Sequence, residues 1–208
     1  MNIIIVADKY QKRMKSKGCV GLIKYLNKNI LSHQYQILQN VFPKSNIVYI
    51  YGFDNKRLIN YIDKKKQKQE YKYLQLIYNS QYDTYNNAYS LYLAKNFLND
   101  DCIIFFGDNI IKSSTFKDFK ITQESQVFID NNSKNKIGCI INNNRIYNIS
   151  YDLDNILSEI YFISKPQITL FKSLVSNNHN YFIFEIINKM IDLNQNFSPF
   201  INKHRISL

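Results

Sequence analysis

The sequence has 208 residues, a formal net charge of +11, 45% hydrophobic residues and 21% charged residues. These proportions exclude a disordered or fibrous chain, and the length suits a single domain, spanning residues 1–208, with a sizeable core. The positive charge fits a phosphate-bearing ligand, a nucleic acid or an acidic surface, and equally a lysine-rich surface that contacts only water. With 17 Tyr and no Trp, the composition suggests an AT-rich gene, which would explain part of the lysine excess.

The cysteines and the apolar runs bear on the cellular compartment. Cys19, Cys102 and Cys139 are far apart and form neither a CxxC nor a Cys/His pattern, which argues against structural zinc and for free thiols. No run approaches the roughly 18 apolar residues of a membrane span. The N-terminal apolar run is too short for a signal peptide, and its basic residues follow it. We therefore predict a cytoplasmic protein.

The first element is a short apolar run, N-I-I-I-V-A, over residues 2–7. Its β-branched residues predict a buried strand of an α/β sheet. A basic segment, residues 8–18, follows immediately. Because α/β proteins bind ligands at the carboxyl ends of their strands, this loop is a candidate site for an anion.

Strand and helix patterns then alternate through the first half of the chain. Helical spacing predicts a helix beginning after Asn29 and ending at Pro43, and another beginning after Asp54. A further helix is expected to carry Tyr89, Tyr92, Leu93 and Phe97 on one face. Further strands are predicted at residues 46–51, 74–78 and 102–106. This alternation is typical of a doubly wound α/β sheet.

The second half is less regular. Short strands are predicted at residues 126–129, 137–141, 145–149 and 159–164. Pro166 suits the first turn of a helix. A final helix places Ile183, Ile186 and Met190 in step, and a short tail begins at Asn196.

Several stretches match the motifs of one enzyme family in the family's order. Residues 6–14, V-A-D-K-Y-Q-K-R-M, resemble a glycine-rich A-A-G-x-G-x-R-M loop that follows a first strand. Residues 29–34, N-I-L-S-H-Q, resemble a helix start x-P-L-L-x-H-Q, and residues 47–52 resemble a strand I-x-V-V-x-G-Y. Residues 78–91 resemble N-P-x-Y-x-x-x-N-N-x-x-S-L, and residues 106–108 resemble a strand-terminal Gly-Asp.

These motifs resemble those of the sugar-phosphate and phosphocholine nucleotidyltransferases, over about residues 1–195. The resemblance implies a GT-A-like, Rossmann-related three-layer sandwich with a mostly parallel central sheet. It also implies transfer of a nucleotide from an NTP to a small phosphorylated acceptor, a sugar phosphate or a phosphocholine-like molecule, with release of pyrophosphate. Mg²⁺ is the implied cofactor. Neither a membrane nor a nucleic acid is an expected partner.

The resemblance also assigns roles to particular residues. Arg13 and Lys15 would stabilise the triphosphate, and Asp108 would take part in catalysis as a magnesium ligand. Glu185 would correspond to a second acidic position near the metal or substrate. The residues expected to bind substrate are Ala7, Asp8, Asn86, Asn87, Ser90 and Gly107.

Several of these residues also have a plainer interpretation. Asp108 could be a turn residue after a strand, and Glu185 an ordinary carboxylate on a helix surface. Asn86, Asn87 and Ser90 stand near a helix start, where such side chains often cap the backbone.

The loop after the first strand departs from the family pattern. A phosphate-binding turn needs glycine for close backbone approach, yet residues 8–11 read D-K-Y-Q. Asp8 would add a negative charge beside the triphosphate, with about 1 kcal/mol of repulsion at short range in water. An alternative is therefore a catalytically impaired protein that acts as a structural or interaction module, for example in a virus.

Overall fold

The computed structural model describes residues 1–10, 16–130 and 136–201. Within them, nine strands form one mixed sheet, two short strands form a hairpin, and five α-helices pack around the sheet. The strands are β1 Asn2–Ala7, β2 Lys24–Tyr25, β3 Lys28–Asn29, β4 Asn46–Tyr51, β5 Leu74–Tyr78, β6 Cys102–Phe106, β7 Ser125–Ile129, β8 Ile137–Asn142, β9 Arg145–Tyr151, β10 Asn155–Ile163 and β11 Phe197–Ile201. The helices are α1 Ile30–Val41, α2 Asn55–Gln67, α3 Asn87–Leu93, α4 Lys165–Asn177 and α5 Ile183–Asp192.

The central sheet has the order β11-β7-β10-β6-β1-β4-β5. Strands β6, β1, β4 and β5 are parallel, β10 runs antiparallel to β6 and β7, and β11 is parallel to β7. Strand β10 also pairs with β8, which forms a hairpin with β9. The mostly parallel sheet predicted from the sequence is confirmed.

Strand β1 is buried on both faces, and its side chains alternate between two cores. Ile3 and Ile5 belong to the core that contains Leu31 and Leu38 of α1 and residues of α2. Ile4 and Val6 belong to the opposite core, which contains residues of α3, α4 and α5. Because successive side chains of a strand point to opposite faces, a continuous apolar run needs a helical layer on each side. The result is the predicted three-layer sandwich.

The carboxyl ends of β1 and β6 lie side by side at the topological switch point of the sheet, where the strand order reverses. The connection through α1 carries the chain from β1 to β4, whereas β6 pairs with the other edge of β1. In open α/β sheets, this switch point forms the ligand crevice. Gly107 makes the close approach there, since a Cβ at this position would overlap the Cβ of Ala7.

The structure adds detail to several local predictions. The buried face of α3 carries Ala88 and Leu91, whereas Tyr89 and Tyr92 pack around the ring of His179. Asn29 and Asp54 stand at N-cap positions without a capping side-chain hydrogen bond, and Asp54 pairs with Arg57 at 3.1 Å instead. The tail contains strand β11, which pairs with β7.

The three cysteines are free and buried, as expected for a protein without disulfides. Burial raises the pKa of Cys19 to about 11 and that of Cys139 to about 12, so both thiols stay protonated at neutral pH. Among the described residues, no helix is long and apolar enough to cross a bilayer.

Candidate active site

A cavity of about 460 Å³ opens at the carboxyl ends of β1 and β6; we call it the strand-end cavity. Its lining residues are Val6, Ala7, Asp8, Lys9, Val20, Asn87, Phe106, Gly107, Asp108, Lys136, Ile137, Tyr151, Glu159, Tyr161, Phe182, Ile183 and Phe184. A larger groove, about 740 Å³, lies between α1 and α2, away from these strand ends. Its Glu70 carboxylate is already paired with Lys65 at 2.6 Å. The strand-end cavity combines the switch point with charged side chains, and we treat it as the functional site.

The loop that carries Asp108 is fixed by one buried amide from α1. The Nε2 of Gln34 donates to the carbonyl oxygens of Gly107, at 3.0 Å, and Asn109, at 2.8 Å. Gln34 is completely buried, and its neighbour His33 contacts the carbonyl oxygen of Ile111 at 2.8 Å. The carbonyl groups of both residues that flank Asp108 are therefore held in place. Gln34 belongs to the H-Q motif at the start of α1, but the motif alone did not mark it as a functional residue.

Asn109 connects the same loop to an irregularity in β10. Its Nδ2 donates to the carbonyl oxygens of Ser158, at 3.1 Å, and Glu159, at 3.4 Å. The pairing of β10 with β7 shifts between Leu157 and Tyr161, and Glu159 has a φ of +57°. Such a β-bulge re-aims a side chain, and that of Glu159 lines the cavity. The only sequence signal for this residue is a lone acid within an apolar strand.

Asp8 is 2% exposed, and its carboxylate is held from inside the protein. One of its oxygens accepts hydrogen bonds from Asn79 Nδ2, at 2.5 Å, and from Ser90 Oγ, at 2.7 Å. Burial raises the pKa of Asp8, and the hydrogen bonds from Ser90 and Asn79 lower it in part. This group connects the β1 loop to α3, and because Asp8 also lines the cavity, the repulsion of a triphosphate by its carboxylate stays a prediction. The hydroxyl expected to bind substrate, that of Ser90, makes the same internal connection.

The paired asparagines at the start of α3 have different surroundings. Asn86 Oδ1 accepts a hydrogen bond from Lys9 Nζ at 3.1 Å, and Asn86 Nδ2 donates to the carbonyl oxygen of Asn180 at 2.6 Å. Asn87 lines the cavity, and its buried Oδ1 has no hydrogen-bond partner within the part of the chain that the structure describes. Asn86 therefore joins loops beside the site, whereas Asn87 offers an acceptor next to the cavity.

The remaining predicted site residues divide into three groups. Ala7, Gly107 and Asp108 line the cavity together. Arg13 and Lys15 lie outside the described residues. Glu185 lies beyond the cavity lining, and its carboxylate accepts a hydrogen bond from the backbone N–H of Phe182 at 2.7 Å. This bond caps the start of α5, which favours the structural interpretation of Glu185 over a metal ligand.

The acids of the cavity suit magnesium better than a metal held by protein ligands alone. Residues 1–10, 16–130 and 136–201 contain no group of three or more His, Cys, Asp or Glu arranged to hold a metal. Mg²⁺ usually needs only one or two carboxylates, because substrate phosphates and water supply its other ligands. Asp108 and Glu159, which both line the cavity, fit that requirement.

One side of the cavity is formed by Tyr151, Phe182 and Phe184, which we call the aromatic wall. The rings of Phe182 and Phe184 stack with centroids 5.7 Å apart and an interplanar angle of 8°. Tyr151 meets Phe184 edge-on, also at 5.7 Å. Tyr151 is 53% exposed and Phe182 is 37% exposed, so the wall presents apolar surface to a ligand.

This architecture and site define a GT-A-like nucleotidyltransferase fold, and solved structures share it. The CTP:phosphocholine cytidylyltransferase of Streptococcus pneumoniae superimposes with a TM-score of 0.77 at 19% identity, covering 99% of this chain and 91% of that one. The inositol-1-phosphate CTP transferase of T. maritima superimposes with a TM-score of 0.74 at 18% identity, covering 96% of this chain and 84% of that one. A putative glucose-1-phosphate thymidylyltransferase of Bacillus anthracis gives 0.74 at 18% identity, covering 97% and 86%.

The chain therefore has the fold of the sugar-phosphate and phosphocholine nucleotidyltransferases, and the resemblance seen in its motifs is confirmed at that level. No family model matches the sequence, and a search of curated proteins gives no match. At these identities the likeness establishes the fold alone.

Proposed function

We propose that the protein is a magnesium-dependent nucleotidyltransferase that joins a nucleotide from an NTP to a small phosphorylated acceptor and releases pyrophosphate. The observation that carries this proposal is the position of Asp108 in the cavity, at the carboxyl end of β6. Gln34 of α1 holds the loop around it in place. Lys9 and Lys136 line the same cavity, which thus offers both an oxygen ligand for a cation and positive charge for phosphates.

The reaction follows from these groups. A phosphate oxygen of the acceptor attacks the α-phosphorus of the NTP in line, and the bond from that phosphorus to the bridging oxygen breaks, releasing pyrophosphate. Asp108 is the proposed ligand of Mg²⁺, which would neutralise charge on the phosphates when bound. Arg13 and Lys15, in the loop after β1, are proposed to bind the triphosphate. The chain's own contribution is positioning and charge, because phosphoryl transfer needs little covalent chemistry from the protein.

Residues 8–11 lack the glycines of the family's loop, which favours a second candidate, an impaired protein that binds nucleotide or a partner without turnover. Asp8 also has a structural role, since its carboxylate accepts hydrogen bonds from Asn79 and Ser90. The enzyme remains our proposal because Asp108 and two lysines border one cavity.

A thermal-shift screen tests nucleotide binding first. CTP, UTP, GTP and ATP, each with Mg²⁺, should include at least one nucleotide that raises the melting temperature, because a ligand of the native state stabilises it. At 100 times the dissociation constant, the stabilisation is about 2.7 kcal/mol. The same nucleotide without Mg²⁺ should give a smaller shift. If none of the four changes the melting temperature, both the enzyme and the nucleotide-binding alternative are contradicted.

A further inference from the structure

The larger groove of the molecule, away from the strand-end cavity, has a lining of its own. We call it the α1–α2 groove; it is lined by residues of the β2–β3 hairpin, of α1, and of α2 with the turn that follows it. Its volume of about 740 Å³ falls within the usual range for ligand sites. Four of its 15 lining residues are tyrosines, three are lysines and one is acidic. The groove therefore combines aromatic surface with positive charge.

The positive charge of the α1–α2 groove is only partly neutralised. Lys65 pairs at 2.6 Å with Glu70, the single acid that the described residues contribute to the lining. The Nζ of Lys28 donates to a neutral amide oxygen at 2.5 Å, and the Nζ of Lys72 lies 5.4 Å from the centroid of the Tyr73 ring. Neither contact supplies a negative charge. Two lysines of the groove thus have no carboxylate partner within the part of the chain that the structure describes.

The end of α2 extends this charge beyond the groove. Residues 63–68 read D-K-K-K-Q-K, and the lysines of this segment other than Lys65 are exposed. The helix dipole by itself explains lysines at a helix C-terminus, so the sequence did not lead us to expect a nucleic acid as partner. It does not explain Lys28 of β3 or Lys72 of the turn before β5. The fold brings these separate segments to one groove.

The tyrosines of the groove differ in how firmly they are held. Ser32 Oγ lies 2.7 Å from the hydroxyl oxygens of both Tyr61 and Tyr71. Tyr71 is almost fully buried and meets Tyr35 edge-on, with ring centroids 4.9 Å apart. Tyr73, by contrast, is 54% exposed. The groove therefore has a fixed aromatic base and one ring that a ligand can reach.

The groove also offers a hydrogen-bond donor that has no acceptor. The Nε2 of Gln39, a lining residue, is buried and has no hydrogen-bond partner among the described residues. Buried polar groups are nearly always hydrogen-bonded, and both lysine and amide nitrogens are donors. The ligand that completes this lining is rich in acceptor oxygens and negatively charged, as a phosphate backbone is.

We propose that the α1–α2 groove binds single-stranded nucleic acid, with phosphates at Lys28 and Lys72 and a base stacked on Tyr73. Grooves that bind single strands in other proteins combine positive charge along the backbone with aromatic rings under the bases. An inorganic anion would use the lysines alone, and a duplex keeps its bases stacked on one another. The exposed ring beside Lys72 therefore favours a single strand. Because the groove is separate from the strand-end cavity, this proposal does not depend on the proposed function.

Fluorescence anisotropy with the full chain and labelled oligo-U and oligo-dT, each of about 12 nucleotides, tests the proposal. At least one of them should bind, and its affinity should fall as salt increases. In a plot of log affinity against log salt, Lys28→Gln and Lys72→Gln should each make the slope shallower by about 0.7. A duplex of the same length should bind several-fold more weakly, because its bases cannot stack on Tyr73.

Two variants of Tyr73 separate stacking from charge. Tyr73→Ala should weaken binding about fivefold or more, which is the loss expected when one base loses its stacking partner, and Tyr73→Phe should bind like wild type. Tyr147→Ala on β9 removes a ring of nearly equal exposure, 53%, and is the matched control. Lys172→Gln on α4, which packs on the opposite face of the sheet, is the control for charge. Both controls should keep the wild-type affinity.

Several results would contradict the proposal. It is overturned if neither oligonucleotide binds, or if Tyr73→Ala and Lys28→Gln both keep the wild-type affinity. Equal competition by polyphosphate of the same charge would show that the groove binds anions through charge alone. Loss of binding in Lys9→Gln, with Tyr73→Ala unaffected, would assign the strand to the strand-end cavity instead. The nucleotide thermal shift should be the same in wild type and Tyr73→Ala, so this proposal and the proposed function can fail separately.

Discussion

At the scale of single residues, Asp8 shows how a departure from a motif can become a structural feature. Glycine in this position would leave the loop after β1 to bind phosphate through its backbone. Asp8 instead accepts hydrogen bonds from Asn79 and Ser90, which come from the end of β5 and from α3. Lys9, next to it, donates to Asn86. Side chains thus fix the start of this loop from within the protein.

The raised pKa of Asp8 predicts a dependence of stability on pH. The folded protein holds this proton more tightly than the unfolded chain, whose pKa is near 3.8. The stability from protonated Asp8 is therefore present at low pH and lost as the pH rises through the raised, folded pKa. Asp8→Asn keeps the shape but cannot ionise. Relative to wild type, its free energy of unfolding should therefore rise as the pH increases from about 4 through the raised pKa of folded Asp8.

Urea denaturation across this pH range measures the effect. Asp63→Asn removes an exposed carboxylate on α2 and serves as the control. Plotted against pH, the free energies of unfolding of Asp63→Asn and wild type should give nearly parallel curves. The assignment fails if the curve of Asp8→Asn is parallel to that of wild type as well.

At the scale of elements, the contact between the ends of β1 and β6 shapes the site. A Cβ on Gly107 would overlap the Cβ of Ala7 and press on Val20. Gly107→Ala should therefore lower the free energy of unfolding by about 1–3 kcal/mol, as overpacking does in other proteins. It should also displace Asp108 and reduce nucleotide binding.

The double variant Ala7→Gly/Gly107→Ala removes the opposing Cβ and is the matched control. Its loss of unfolding free energy should be smaller than the sum of the losses in the two single variants. The difference, measured by denaturation, should be about 0.5 kcal/mol or more. If the two losses of unfolding free energy add strictly, the overlap between the Cβ atoms at positions 7 and 107 is not the cause of the destabilisation.

The strands and helices that could be predicted from the sequence are marked by local residue patterns. The strands β1, β4, β5 and β6 are apolar runs, and the stop of α1 before Pro43 follows from proline's missing N–H. Strand β11 was not predicted because it contains Pro199 and is defined by its pairing with β7. The bulge at Glu159 depends on hydrogen bonds from Asn109, 50 residues away, which no local pattern reports.

The candidate site was predictable only where a motif fell at the end of a strand. Gly107 and Asp108 follow a buried apolar run, so their position at the sheet edge could be inferred. The roles of Gln34 and Ser90 could not, because their partners lie 73 and 82 residues away in sequence. The aromatic wall combines one residue of β9 with two at the start of α5, and only the folded chain brings them together.

At the scale of the whole molecule, the fold, the cavity and the charge agree with one kind of reaction. The net charge of +11 would attract nucleotides and other phosphates over several ångströms, and this attraction should weaken as salt increases. The sheet brings together, at one switch point, the carboxylates of Asp108 and Glu159, the lysines Lys9 and Lys136, and the aromatic wall. The central claim is that this combination transfers a nucleotide and that Asp108 takes part.

The most direct test of that claim is the release of pyrophosphate by purified protein with Mg²⁺, the nucleotide found by thermal shift, and phosphocholine or a sugar phosphate. Asp108→Asn should reduce the rate by at least about a hundredfold, because an amide is a poorer ligand for Mg²⁺ than a carboxylate. Asp63→Asn should keep the wild-type rate. Release of pyrophosphate by Asp108→Asn at the wild-type rate, or no release by wild-type protein with any acceptor, would contradict the account.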